Sequence, residues 1–210
     1  MRILKGLWHF FAVVGIALTA AGAWFFQQGI GTRTPPTSVE VTVSRAARIA
    51  MIPSADRSRR NPESATDDTL RAGLEHFADH CATCHGNDGG GLTDMGQGLY
   101  PRAPDMRQSA TQSLSDGELF YIIENGVKLT GMPAWGNGTR EGETASWHLV
   151  QFIRHMPSMT EAELAEMEDL NPRGRAEWQA LEEERRFLSG EKPSPPTAPA
   201  SPHQHKGASQ

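Results

Sequence analysis

The chain has 210 residues, a formal net charge of −5 and 38% hydrophobic residues, which allows one or two small domains and excludes a large multidomain enzyme. The 20 Lys and Arg are outnumbered by 25 Asp and Glu, and the only dense basic stretch is short and lies before residue 61, so we expect no nucleic-acid partner. The 14 Pro and 21 Gly are unevenly spread, which predicts that part of the length is linker.

An apolar run without Asp, Glu, Lys or Arg occupies residues 7–26, directly after a short basic segment, residues 1–6. Twenty helical residues rise about 1.5 Å each and span the roughly 30 Å of a bilayer core. Aromatic residues at both ends of the run favour a membrane anchor, whereas the Ala-Gly-Ala sequence at 21–23 has the form of a signal-peptide cleavage site. Both alternatives place residues 7–26 in a lipid bilayer and export the rest of the chain. Basic residues flank the run on both sides, so charge alone does not set its orientation.

Two segments have the composition of unstructured chain. Residues 27–66 are rich in Thr, Pro, Ser and Arg and lack a sustained helical period, which predicts a flexible linker. The alternating segment 38–43 allows one short strand within it, although an unpaired strand is only marginally stable. Residues 189–210 are rich in proline and predict a disordered tail, in which we interpret His203 and His205 as surface residues rather than metal ligands.

The segment between them, residues 67–157, has the pattern of a compact helical domain. Three amphipathic helices are predicted: one after an N-cap at Asp67 or Asp68, one from the capping box at Ser115 to Gly126, and one over about 143–155. A Gly- and Pro-rich loop, residues 86–105, joins the first two. Two more helices are predicted in residues 158–188, as a peripheral extension. The predicted fold class is therefore all-α.

The only two cysteines, Cys81 and Cys84, stand with His85 in a Cys-x-x-Cys-His sequence, which is the attachment motif for c-type haem. Residues i, i+3 and i+4 share one face of a helical turn, so both thiols can reach the vinyl groups of one porphyrin while the imidazole faces the iron. A reactive Cys-x-x-Cys pair or a zinc site would need a βαβ pattern or a second cysteine pair, and the sequence has neither. The motif predicts one covalently attached haem c, with His85 as an iron ligand.

The second iron ligand must come from another part of the chain, and Met132 is the leading candidate. Its neighbours Gly131 and Pro133 indicate an extended loop rather than a helix, and a loop methionine after the histidine fits the role of an axial ligand. Met95 and Met106 are the alternatives. The histidines at positions 76, 80, 148 and 155 lie on predicted helices, and we interpret them as surface or packing residues.

The sequence around these residues resembles the class I bacterial cytochromes c, especially small membrane-anchored or oxidase-associated members. The resemblance covers about residues 68–156. Its matching features are Gly73 and Phe77, the sequence Cys-Ala-Thr-Cys-His-Gly at 81–86, the stretches 125–127 and 131–135, and Phe152. It implies an all-α domain in which Gly73 lets the first and last helices cross closely, with Phe77 and Phe152 at the crossing.

The resemblance also implies roles for residues near the haem. The carbonyl of Pro101 or Pro104 accepts a hydrogen bond from the His85 ring, which would orient the imidazole and raise its basicity. Arg102 and Trp135 either bind the haem propionates or only pack and face solvent. Haem attachment is implied on the periplasmic side of a bacterial inner membrane, which places the amino terminus inside.

With His85 and Met132 on the iron, both axial positions are filled, so we expect an electron-transfer protein rather than an enzyme. The first hypothesis is a tethered carrier that exchanges single electrons with membrane-bound redox complexes or other cytochromes. The alternatives are a haem-bearing subunit of a larger membrane oxidoreductase and a gas-binding haem sensor.

Overall fold

The computed structural model describes residues 2–27, 29, 31–173 and 175–190. Every regular element among these residues is a helix, so the all-α prediction is confirmed. The chain divides into two compact units, Met1–Leu170 and Asn171–Gln210. The predictions for most of the tail, including His203 and His205, fall outside the described residues.

The apolar run near the amino terminus forms one long helix. Helix α1 covers Arg2–Gln27, and its segment Gly6–Trp24 has a mean hydropathy of 1.6. None of that segment is buried against other parts of the chain, and the Trp8 side chain is 75% exposed. The helix is long and apolar enough to cross a membrane, as a signal sequence near the amino terminus also can be.

The segment predicted as a flexible linker contains two helices. Helix α2 covers Ser38–Met51 and α3 covers Ser54–Arg57, so residues 38–43 are helical and do not form the short strand that their alternation allowed. A capping box begins α2: the Glu40 amide donates to the Thr37 hydroxyl at 3.3 Å, and the Thr37 amide donates to the Glu40 carboxylate at 2.7 Å. This local signal outweighs the β-branched residues, which favour strands only weakly without a sheet to join.

The end of the same segment packs on the central domain. The Asn61 amide donates to the Trp147 carbonyl at 2.9 Å, and the Ser115 hydroxyl donates to the Arg57 carbonyl at 2.8 Å. The Ile52 side chain is only 3% exposed. The structure therefore packs residues before position 67 on the domain that was predicted over 67–157.

The central domain contains six helices, two of which differ at their starts from the prediction. They are α4 Asp67–His76, α5 Ala82–His85, α6 Asp94–Gly98, α7 Ser109–Gln112, α8 Asp116–Asn125 and α9 Arg140–His155. The N-cap of α4 is Thr66 rather than either aspartate, because the Thr66 hydroxyl accepts the Thr69 amide proton. Thr139 caps α9, so that helix begins three residues before the predicted start. The predicted capping box and terminal glycine of α8 are both present.

Helices α4 and α9 cross so closely that a side chain would not fit at Gly73. A Cβ there would overlap the His148 carbonyl and lie 2.8 Å from Phe152 Cβ. The rings of Phe77 and Phe152 are both fully buried, with centroids 5.4 Å apart. The close crossing implied by the resemblance is therefore present, and it sets the frame of the domain.

The predicted peripheral extension divides into two parts. Helix α10, Glu161–Leu170, joins the core, because Met167 is fully buried and Glu166 forms a 2.7 Å ion pair with Arg71. Helix α11, Arg175–Ser189, belongs to the second unit. The folded unit around the central domain thus extends to residue 170.

Candidate haem site

A deep, mostly apolar cavity lies inside the central domain and encloses about 1110 Å³, its open mouth included. The residues predicted as thioether, iron-ligand and haem-pocket positions all line it, and they come from three separate stretches of sequence: Cys81, Cys84, His85, Pro101, Arg102, Met132 and Trp135. A cleft with this mostly apolar lining suits a large planar cofactor.

The Cys-x-x-Cys-His motif forms one wall. The residues Phe77–Cys81 form a π-helical turn, α5 follows, and Gly86 ends it with a φ of 73°. Both cysteines are half-buried free thiols. Burial, and then the neighbouring Cys84, raise the pKa of the Cys81 thiol to about 12. A thiol that stays protonated at neutral pH is unsuited to disulfide exchange, which disfavours the redox-pair alternative.

His85 is buried, with 7% of its surface exposed, and burial lowers the pKa of its imidazole. The ring is therefore neutral near pH 7 and keeps a lone pair for a metal. Its Nδ1 atom is buried without a hydrogen-bond partner. The Pro104 carbonyl raises the pKa of the ring and so partly offsets the effect of burial. No atom forms a hydrogen bond with Nδ1 itself. Of the two prolines implied by the resemblance, Pro104 is the candidate acceptor.

The glycine-rich loop after the motif packs directly on it. The Thr93 hydroxyl donates to the Cys84 carbonyl at 3.0 Å, and a Cβ on Gly96 would overlap that same carbonyl. Gly91 has a φ of 71°, and a Cβ there would overlap the Ala103 carbonyl. These close approaches hold residues 101–104 against the cavity, where Pro101 and Arg102 are exposed at its surface.

Met132 lies in the loop that follows α8. Its amide donates to the Thr130 hydroxyl at 3.1 Å, and its carbonyl accepts from the Val127 amide at 3.1 Å. The loop begins at Gly126, whose φ is 65° and where a Cβ would lie 2.7 Å from the Ala134 nitrogen. Met132 is thus held by its backbone while its side chain is half-buried at the cavity.

The alternative methionines have different positions. Met95 is 55% exposed. Met106 does line the cavity, but its amide donates to the Gly89 carbonyl at 2.8 Å, in the loop that continues from His85. Among the described histidines, His80 and His85 line the cavity. The His80 ring lies 5.1 Å from the ring of Trp135, which is half-buried against the core.

One lining residue, Arg48 of α2, was missed by sequence reasoning. The buried face of α2 has a helical repeat in the structure, since Val41, Arg48, Ile49 and Ile52 are the partly or fully buried positions of that segment. The prolines and β-branched residues of the segment concealed this period.

Comparison with known families identifies the domain. Residues 68–153 match the family described as Cytochrome C oxidase, cbb3-type, subunit III. This segment is a class I c-type cytochrome domain. No curated protein matches the chain. A cytochrome domain of this class binds haem c covalently, with its iron, and transfers electrons.

The cavity of the cytochrome domain fits that cofactor. It offers two free thiols on one helical turn, a neutral buried imidazole and an apolar lining. The Pro104 carbonyl beside the His85 ring also fits, because a metal-bound imidazole donates its other ring N–H to an acceptor such as a carbonyl. With only two cysteines in the sequence, the chain has one attachment motif and so one covalent haem.

Proposed function

We propose that this protein is a membrane-anchored, periplasmic mono-haem cytochrome that transfers single electrons through a haem iron held by His85 and Met132. The observation that carries the proposal is the convergence of Cys81, Cys84, His85 and Met132 on one apolar cavity, although Met132 is 47 residues from the histidine in the chain. The bound haem supplies a one-electron redox centre.

The two proposed ligands have complementary chemistry. The neutral imidazole of His85 is a good σ-donor, and a thioether sulfur favours ferrous iron and so raises the reduction potential. With both axial positions occupied, no substrate reaches the metal. The backbone hydrogen bonds that hold the Met132 loop favour a site that changes little in shape between the two oxidation states.

Met132 is preferred to Met106 because of where the two loops lie. Met106 is two residues from Pro104, whose carbonyl acts on the His85 ring, and its amide bonds the loop leaving the Cys-x-x-Cys-His motif. If haem is bound in the cavity, a methionine from the stretch that contacts the histidine would be less suited than Met132 to hold the iron from the other side. The Met132 loop comes from the far end of α8 and has no such contact with the motif.

The proposed location follows from α1 and the site of haem attachment. The apolar helix would cross the inner membrane, with the amino terminus on the cytoplasmic side and the cytochrome domain in the periplasm. Only residues 28–37 separate α1 from α2, and ten residues span at most about 36 Å. That tether is much shorter than a linker over 27–66, and it keeps the haem at high effective concentration near membrane-bound redox complexes.

A second candidate is a haem-bearing subunit of a larger membrane oxidoreductase, which the description of the matched family favours. The two candidates share the same site chemistry and differ in association. Gentle detergent extraction followed by size-exclusion chromatography separates them, because a subunit elutes with stoichiometric partner chains and a carrier does not.

The ligation is tested by absorption spectra of membranes containing the holoprotein, recorded oxidised, reduced, and reduced under carbon monoxide. We expect a low-spin spectrum that carbon monoxide does not change. Met132→Ala should open the axial position and make the iron reactive, whereas Met106→Ala and Met95→Ala should leave it unreactive. A wild-type protein that binds carbon monoxide readily would overturn the proposal in favour of a gas-binding sensor.

A further inference from the structure

Helix α2 places an unsatisfied cationic group at the haem cavity. The Arg48 side chain lines the cavity, and its Nε atom is buried without a hydrogen-bond partner. A buried guanidinium N–H without an acceptor is costly, because its lost contacts with water are not replaced. Residues 68–153 match the cytochrome family, so Arg48 lies outside the matched segment.

Several contacts hold α2 in this position. The Tyr100 hydroxyl donates to the Glu40 carboxylate at 3.0 Å, which links α2 to the loop that carries Pro101 and Arg102. Ile49 packs against the core cluster, and Ile52 is buried just beyond the helix end. The backbone of α2 at Arg48 is thus held from both ends of the helix.

The neighbouring protein charges do not satisfy Arg48. Burial and the nearby Arg45 lower the pKa of its guanidinium, and Glu118 acts in the opposite direction. The Glu118 carboxylate already accepts the Ser115 amide at 2.7 Å as part of the α8 capping box. The Arg48 Nε–H therefore lacks an acceptor, and the cavity that this side chain lines is open to one.

We propose that Arg48 binds a propionate carboxylate of the haem, so that the membrane-proximal helix α2 forms part of the haem site. The haem carries two carboxylates, and a guanidinium N–H donates strong charge-assisted hydrogen bonds to such groups. The proposal rests on haem c in this cavity and is independent of which methionine ligates the iron. It also gives the exposed Arg102 a weaker role, because a solvated cation is screened more than a buried one.

The consequence is an effect on the reduction potential. A fixed positive charge near the haem stabilises the ferrous state, so its removal lowers the potential. The matched control is Arg45, an exposed residue of the same helix whose neutralisation changes the net charge equally. Arg48→Gln, Arg48→Lys and Arg45→Gln are compared in the full-length holoprotein by potentiometric titration and by the propionate bending bands of the resonance Raman spectrum.

We expect Arg48→Gln to shift the ferric-to-ferrous ratio at fixed potential about tenfold towards ferric, which is 59 mV for a one-electron couple. The propionate band should move, Arg48→Lys should restore part of both effects, and Arg45→Gln should produce neither. Equal titrations for Arg48→Gln and Arg45→Gln, with an unmoved propionate band, would overturn this inference. The low-spin spectrum and its carbon monoxide response in the same samples report the axial ligation separately, so a failure of Arg48 is distinguishable from a failure of the proposed function.

Discussion

The two stretches that meet at the haem cavity differ in how much their sequences disclose. The Cys-x-x-Cys-His motif at 81–85 is enough by itself to predict haem attachment, because covalent attachment and iron ligation require those residue types at that spacing. The segment 38–52 contains no motif, yet it supplies Arg48 to the same cavity. The comparison shows that a cofactor-binding motif can be predicted from the sequence alone. The contribution of a packed helix to the cavity is found only when the residues around that helix are known.

The largest expected effect comes from a change in the Cys-x-x-Cys-His motif. His85→Ala removes the buried imidazole, and we expect at least a tenfold loss of haem-stained holoprotein in membranes or a complete loss of the low-spin spectrum. His80→Ala is the control, since that histidine is 39% exposed and its ring contacts Trp135 in a tilted arrangement. Normal amounts of low-spin His85→Ala protein would contradict the assignment.

The helix crossing that frames both sides is tested by Gly73→Ala. The new Cβ would overlap the His148 carbonyl, which is backbone and cannot turn away, so α4 and α9 must separate. Overpacking of this kind costs about 1–3 kcal/mol in the free energy of unfolding. Denaturant unfolding of the holoprotein measures the effect. Gly98→Ala, where nothing lies within 4 Å of the added carbon, should leave the midpoint unchanged or raise it.

The second side of the comparison is sharpened by Thr37→Ala. This change removes the hydroxyl of the α2 capping box, and a lost N-cap costs about 1 kcal/mol of helix stability. We expect faster amide hydrogen exchange over 38–51 while exchange in α8 stays the same. Thr42→Ala removes a hydroxyl that bonds only the Ser38 carbonyl within the helix and should not accelerate exchange. Equal exchange rates over 38–51 in Thr37→Ala and Thr42→Ala would show that the cap does not stabilise α2.

The smallest expected effect is on the pH dependence of stability, and it concerns Asp105 and Arg107 in the loop between α6 and α7. Hydrogen bonds from the Arg107 side chain, above all, lower the pKa of Asp105 to about 2. A lowered pKa means that the carboxylate stabilises the folded state above its unfolded pKa, near 4, and that this contribution is lost as the pH falls towards about 2. Asp105→Asn should therefore flatten the decline of stability across that window, measured by unfolding at successive pH values. An unchanged slope would show that the pair contributes nothing, as exposed pairs sometimes do.

Sequence reasoning predicted the elements whose signals are local. The capping box at Ser115 and the turn at Gly126 are both found, because each depends on a few neighbouring residues. The close approach at Gly73 is also found, and it was expected from the family resemblance rather than from a local signal. Helix α2 was missed because its buried face repeats over eleven residues beneath a β-branched surface, and its burial depends on the loop around Tyr100. Long-range contacts of this kind have no signature in either segment alone.

The seven predicted site residues all line one cavity, and they too were predicted from local sequence patterns or from the family resemblance. The proposed roles of Cys81, Cys84 and His85 were predicted from one motif, while that of Met132 was predicted from the flanking glycine and proline of its loop. Arg48 could not be assigned from sequence, because nothing in its local pattern distinguishes a buried cation from the exposed Arg45 one turn earlier.

The most direct test of the central claim is nuclear magnetic resonance of the full-length ferrous holoprotein labelled with ¹³C at the methionine methyl groups. A methyl group that is bound through sulfur to the iron lies over the porphyrin and is shifted far from the others by the ring current. We predict one such resonance, which disappears in Met132→Leu and persists in Met106→Leu. A shifted resonance that survives Met132→Leu, or no shifted methyl in the wild type, would contradict ligation by His85 and Met132.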